Sequence, residues 1–282
     1  MSHFSKHLYA NGKACMTQKE ELLMKKCWIW FLTVIYVAAG VAYGADRLYF
    51  TSAEGYSQGA YGLRYLILAA LLLLMLPAVL SIQAGRRGCP AGAACRVFAG
   101  VLAICFTAAS AAEIVFYGAG DLIHTAHAVL QLGTAAYLAW LAFWKPLGTT
   151  QLPPHSAVWG IAACASLYLL VPMRFMNHQS SLVRVGNTMQ LLSALAALLF
   201  ATVCLRRIYV PESACGRALC ASGLSAFLLC TCQEAARLAV GEAADPEALF
   251  TSAALAVLGF AGLYAAVSCR GLVRQDQAAG QQ

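Results

Sequence analysis

The sequence predicts an all-α, polytopic membrane helix bundle of about eight transmembrane helices, and three observations predict it. Only 11% of residues are charged against 61% hydrophobic, whereas a soluble domain carries about 25% charge. The apolar residues arrive in eight nearly charge-free blocks. Each block runs roughly 18–23 residues, and a helix needs about 20 to cross the ~30 Å hydrocarbon core.

Residues 1–26 are polar and read as a cytoplasmic N-terminal tail, with a helical turn expected around Lys19-Glu20-Glu21. Span 1, Trp28 to Ala45, follows Lys25 and Lys26. Its apolar run is longer than a signal-peptide core and its polar leader is long, so retention is expected. Spans 2, 3 and 4 are Tyr65 to Gly85, Val97 to Tyr117 and Leu122 to Trp144. Spans 5 and 6 are Ser156 to Met173 and Thr188 to Leu205; spans 7 and 8 are Ala218 to Ala236 and Ala248 to Cys269. Residues 274–282 form a second short cytoplasmic tail. Backbone groups in lipid must be paired within the segment, so each block is expected to be a helix. The short alternating segments of a membrane barrel do not occur.

The net charge of +7 does not imply nucleic acid as a partner, because the basic residues sit at span ends. With the N-terminus in the cytoplasm, 14 of the 19 Lys and Arg residues fall inside, leaving Arg47, Arg64, Arg174, Arg184 and Arg237 outside. The positive-inside rule favours this orientation, and an even number of spans returns the C-terminus to the cytoplasm. The expected location is the cell membrane. The lipid bilayer is the principal partner, with a small solute or ion and other membrane proteins as further candidates.

Charge spacing suggests a tandem 4+4 parallel repeat, residues 27–148 and 149–273. Arg64 to Arg86 and Arg184 to Arg206 are both 22 residues; Arg96 to Glu113 and Arg217 to Glu234 are both 17. Arginines at one end of spans are common to such proteins, but glutamates at one matched depth are not required by that rule. Parallel repeats occur in some transporters.

Twelve cysteines resemble a disulfide framework only by number. None falls in an outside loop, and Cys230 and Cys232 diverge on one helix, so thiols are expected throughout. Neither Cys89 with Cys95 nor Cys215 with Cys220 has the spacing of a zinc pair, and no cofactor is expected. No phosphate-binding loop, HExxH or GxSxG motif occurs.

Candidate site residues are the ionisable groups inside or bordering the spans. Glu113 follows the small-residue run Thr107 to Ala112, which admits a neighbouring helix closely. A carboxylate in a span costs a few kcal/mol unless paired or hydrated, and such groups mark ion pathways. Glu113 is therefore either a transport or ion-coupling carboxylate or one neutralised by Arg64. Glu234, its counterpart, has Arg237 three residues later on the same helix face, and Arg184 is the counterpart of Arg64. Asp121, His124 and His127 cluster at the start of span 4, and His178 lies in the following outer loop; together they form a candidate metal set. Three functions follow: a small-solute or ion permease; a non-catalytic sensor, assembly factor or complex subunit; and a metal-dependent membrane-embedded hydrolase.

Overall fold

The computed structural model describes residues 28–51, 56, 58–82, 93–143, 157–177, 184–210, 215–242 and 245–271. Eight of its helices are long and apolar enough to cross a membrane, as a multi-pass membrane protein requires. In chain order they are α1 (Trp28–Tyr49), α2 (Tyr61–Leu80), α3 (Ala93–Tyr117), α4 (Leu122–Phe143), α5 (Ala157–Asn177), α6 (Val185–Tyr209), α7 (Gly216–Val240) and α8 (Pro246–Gly271). Each coincides with one apolar block. Several run a turn further, because the backbone ladder continues past the first charge into the polar interface. Asp46 and Arg47 extend α1 in this way, and Arg206 and Arg207 extend α6.

Local chemistry explains the interruptions. Pro77 lacks an N–H and crowds the preceding turn. Accordingly α2 breaks at Leu74 and Met75, where the Met75 N–H bonds the Leu72 carbonyl at 3.3 Å. Helix α7 widens to a π-helix over Phe227–Cys232. There the Thr231 hydroxyl donates to the Ala256 carbonyl of α8 at 2.8 Å. At its end Gly241 takes φ of +78°, which an L side chain resists. The Glu242 N–H then bonds the Arg237 carbonyl and the Gly241 N–H bonds the Leu238 carbonyl, both at 3.2 Å. This glycine cap sets Glu242 beside α1.

Helices α3, α4, α5, α6 and α8 form a circuit, each packed on the next, with α8 returning to both α6 and α3. Helix α7 lies against α6 and α8 and also carries α2; it is the most enclosed of the eight. Helix α1 covers α7 where Gly40 meets Cys232. It holds α2 through the Tyr36 hydroxyl, which donates to the Leu71 carbonyl at 3.0 Å. Tyr36, Leu32, Phe227, Leu219 and Leu255 are among the largest fully buried side chains, so the apolar core centres on α1, α7 and α8. Val34, Leu66, Ile104 and Phe143 are exposed, as lipid contact allows.

The helix contacts do not show the tandem 4+4 repeat; α6 and α2 both pack on α7. The nine described cysteines are thiols. Cys15, Cys27, Cys89 and both predicted tails lie outside the described residues.

Candidate functional site

Two buried carboxylates occupy the end of the bundle where α3 turns into α4. Glu113 sits one turn before the end of α3 and is 1% exposed. A single 3₁₀ turn, Gly118–Gly120, joins the two helices. Asp121 caps α4, its Oδ1 accepting from the Ile123 N–H at 2.9 Å, a standard helix start. This short hairpin folds His124 and His127 back along α3. Ser110 tightens it by donating to the Ala128 carbonyl at 2.8 Å.

The result is a carboxylate held by two imidazoles. Glu113 Oε1 lies 2.9 Å from His124 Nδ1, and Oε2 lies 2.8 Å from His127 Nδ1. An ionised carboxylate has no proton to give, so each imidazole then donates from Nδ1. Tyr117 stacks on His124, with ring centroids 3.8 Å apart and planes 6° apart, which fixes that ring. Gln131 stands one turn deeper with Nε2 3.4 Å from His127 Nδ1. Its buried Oε1 has no hydrogen-bond partner among the described residues. Glu247, in the first turn of α8, acts electrostatically on Glu113, His124, His127 and Arg174.

Glu234, on α7 directly after the π-helical segment, is also 1% exposed, but its partners differ in kind. Oε1 accepts from Arg174 Nη1 of α5 at 2.7 Å and from the Ser193 hydroxyl of α6 at 2.6 Å. Oε2 accepts from the Ser252 hydroxyl of α8 at 2.9 Å and from Arg237 Nη1 at 3.2 Å. Arg174 Nη1 also bonds the Gln190 carbonyl at 2.6 Å. Two guanidiniums that stay charged thus tie one carboxylate across four helices.

The predicted site residues divide between these clusters and the rim. Arg64 does not neutralise Glu113; it pairs with Asp46 at 2.7 Å, because both lie at the ends of α1 and α2 joined by one loop. Arg184 precedes α6 and donates to the Tyr56 hydroxyl at 2.9 Å. Arg237 meets Glu234. His124 and His127 face Glu113, while Asp121 Oδ2 is 3.9 Å from His124 Nε2. His178 lies outside the described residues. Among the described residues no three His, Cys, Asp or Glu side chains are placed to hold a metal ion. Both imidazole Nδ1 atoms meet Glu113 itself, that of His127 reaching both carboxylate oxygens at 2.8 and 3.1 Å.

Arg174, Ser193 and Ser252 escaped the sequence reading. Arg174 counts there as a loop cation, yet it lies in the last turn of α5 and is 7% exposed. Its signal is the apolar context Val171-Pro172-Met173 before it and Phe175-Met176 after it. No protein-family model matches the chain, and neither does any curated protein or solved structure.

Proposed function

We propose that the chain is a small-solute or ion permease of the cell membrane in which Glu113 is the ion-coupling group. The observation that carries this reading is the contrast between the two carboxylates. Glu234 is locked by two arginines, a structural arrangement. Glu113 is equally buried but is held by histidines, the side chains whose charge changes near neutral pH. Such a carboxylate can change its charge state without stranding a permanent cation. An ionisable cluster of this kind inside a membrane span marks an ion pathway. The matched 17-residue spacing of Arg96 with Glu113 and Arg217 with Glu234 supports the tandem arrangement that parallel-repeat transporters use. The basic asymmetry supports cytoplasmic termini, with the Asp121 end outside.

The test uses proteoliposomes and a panel of amino acids, sugars, organic acids and alkali cations under an imposed pH gradient. At least one should give a protein-dependent flux that Glu113→Gln removes. No flux across the panel contradicts the permease reading. It would favour the sensor, assembly-factor or subunit reading, which draws support from bonds that merely tie helices together. Thr134 of α4, 2.7 Å from the Ser166 hydroxyl of α5, is one such bond.

A further inference from the structure

We propose that the coupling ion is the proton, and that it reaches its buried site along the ordered series Asp121, His124, Glu113, His127. This rests on the reading of Glu113 as the coupling group. Side-chain exposure falls along the series, from 49% at Asp121 to 12% at His124 and to 0% and 1% at Glu113 and His127. The first two transfers therefore each hand inward to a group further from water, and the last joins two fully buried groups. The links beyond His124 are hydrogen bonds of 2.9 Å and 2.8 Å. The 3.9 Å gap from Asp121 Oδ2 to His124 Nε2 closes by a small rotation of an exposed carboxylate.

The transfers balance atom by atom. A proton from solvent binds Asp121 and passes to His124 Nε2, giving an imidazolium. His124 then releases its Nδ1 proton to Glu113 Oε1, and the ring is left neutral as the Nε2–H tautomer. Glu113 is now a carboxylic acid, and it passes a proton on when the Nδ1 of His127 is unprotonated. When the proton is withdrawn the same steps run backward: Glu113 returns its proton to His124 Nδ1 as Nε2 releases one through Asp121 to water, which restores the Nδ1–H tautomer. Tyr117 keeps the His124 ring in register by stacking on it.

A proton fits this geometry and a metal or alkali cation does not. Both carboxylate oxygens already meet imidazole nitrogens, so a metal cation would have to displace those hydrogen bonds. A proton only moves along them. The charged and titratable groups around Glu113 are Tyr117 on its own helix, Asp121, His124 and His127 on α4, and Asp245 and Glu247 at the start of α8. Arg174 of α5 bears on Glu247 from the Glu234 side.

The experiment follows the carboxylic-acid infrared band of Glu113, assigned by its absence in Glu113→Gln. The full chain is held in lipid nanodiscs and subjected to a rapid drop from about pH 8 to about pH 3, across both the histidine and the carboxylate ranges. The band should rise in the wild type. His124→Ala should slow that rise about tenfold or more, and added imidazole should restore it where pyrazole, similar in shape but far less basic, does not. Asp121→Asn should slow it by a smaller factor. An unchanged rate in His124→Ala, a slowing that imidazole does not relieve, or no Glu113 band at any pH overturns the proposal. The rate is read without any solute. Normal band kinetics with no flux across the solute panel would therefore overturn the permease reading alone.

Discussion

Glu113 and Glu234 show how partner chemistry decides the role of a buried charge. Breaking a buried pair by removing one partner costs about 3–5 kcal/mol, because the survivor is an uncompensated charge. Glu234→Leu should therefore destabilise the protein by about that amount, read by reversible unfolding in mixed micelles. The double variant Glu234→Leu with Arg174→Met should recover part of the loss, since apolar replacements of both partners are often neutral. A double variant less stable than the single would contradict the pairing. The sequence marked both glutamates by their rarity in apolar blocks, but the one partner it offered Glu113 was Arg64, which pairs with Asp46. The correct partner was legible in principle. Glu113 stands four residues before the end of α3 and His127 five after the start of α4, so a tight hairpin brings them level. Arg174, Ser193 and Ser252 come from three separate helices, and only tertiary packing brings them to Glu234.

At the scale of the helix pair, small residues set how closely backbones approach. Gly223 of α7 and Gly262 of α8 face each other, and a Cβ on Gly262 would sit 2.6 Å from the Gly223 carbonyl oxygen. Gly262→Leu should push the helices apart at a cost of about 1–3 kcal/mol, measured as a lower unfolding midpoint. Gly133→Ala on α4, where an added Cβ meets nothing within 4 Å, should leave the midpoint unchanged. Equal loss in both would contradict a close approach at Gly262. The spans themselves were readable because hydrocarbon thickness fixes their length and excludes charge. Their ends were less readable, since hydrophobicity stops at the first charge while the helix continues. The π-helical Phe227–Cys232 had no signal in composition; it coincides with the tertiary Thr231 bond to α8.

At the scale of the whole molecule, the packing of the eight apolar helices gives the two carboxylate clusters one common end, bordered by the α3–α4 hairpin and by Arg47 paired with Glu242 at 2.6 Å. Arg47→Ala should weaken the seat of α1 on α7 by about 1 kcal/mol, the pair being only partly buried; an unchanged unfolding midpoint would show that the apolar contacts alone hold α1. The proposed cytoplasmic termini predict that reporters between Arg86 and Arg96, or between Arg206 and Arg217, are shielded from impermeant labels in intact cells. Labelling of either from outside would reverse the orientation. The overall packing order, with α2 on α7, was not legible, because charge spacing records depth and says nothing of neighbours. The central claim, that two equally buried carboxylates at one end of the bundle have opposite roles, is tested most directly by measuring flux and unfolding side by side in Glu113→Gln and Glu234→Gln. The account predicts that Glu113→Gln unfolds near the wild-type midpoint and loses flux, whereas Glu234→Gln is destabilised by leaving Arg174 without its counter-charge. A destabilised Glu113→Gln that retains flux when folded would contradict it.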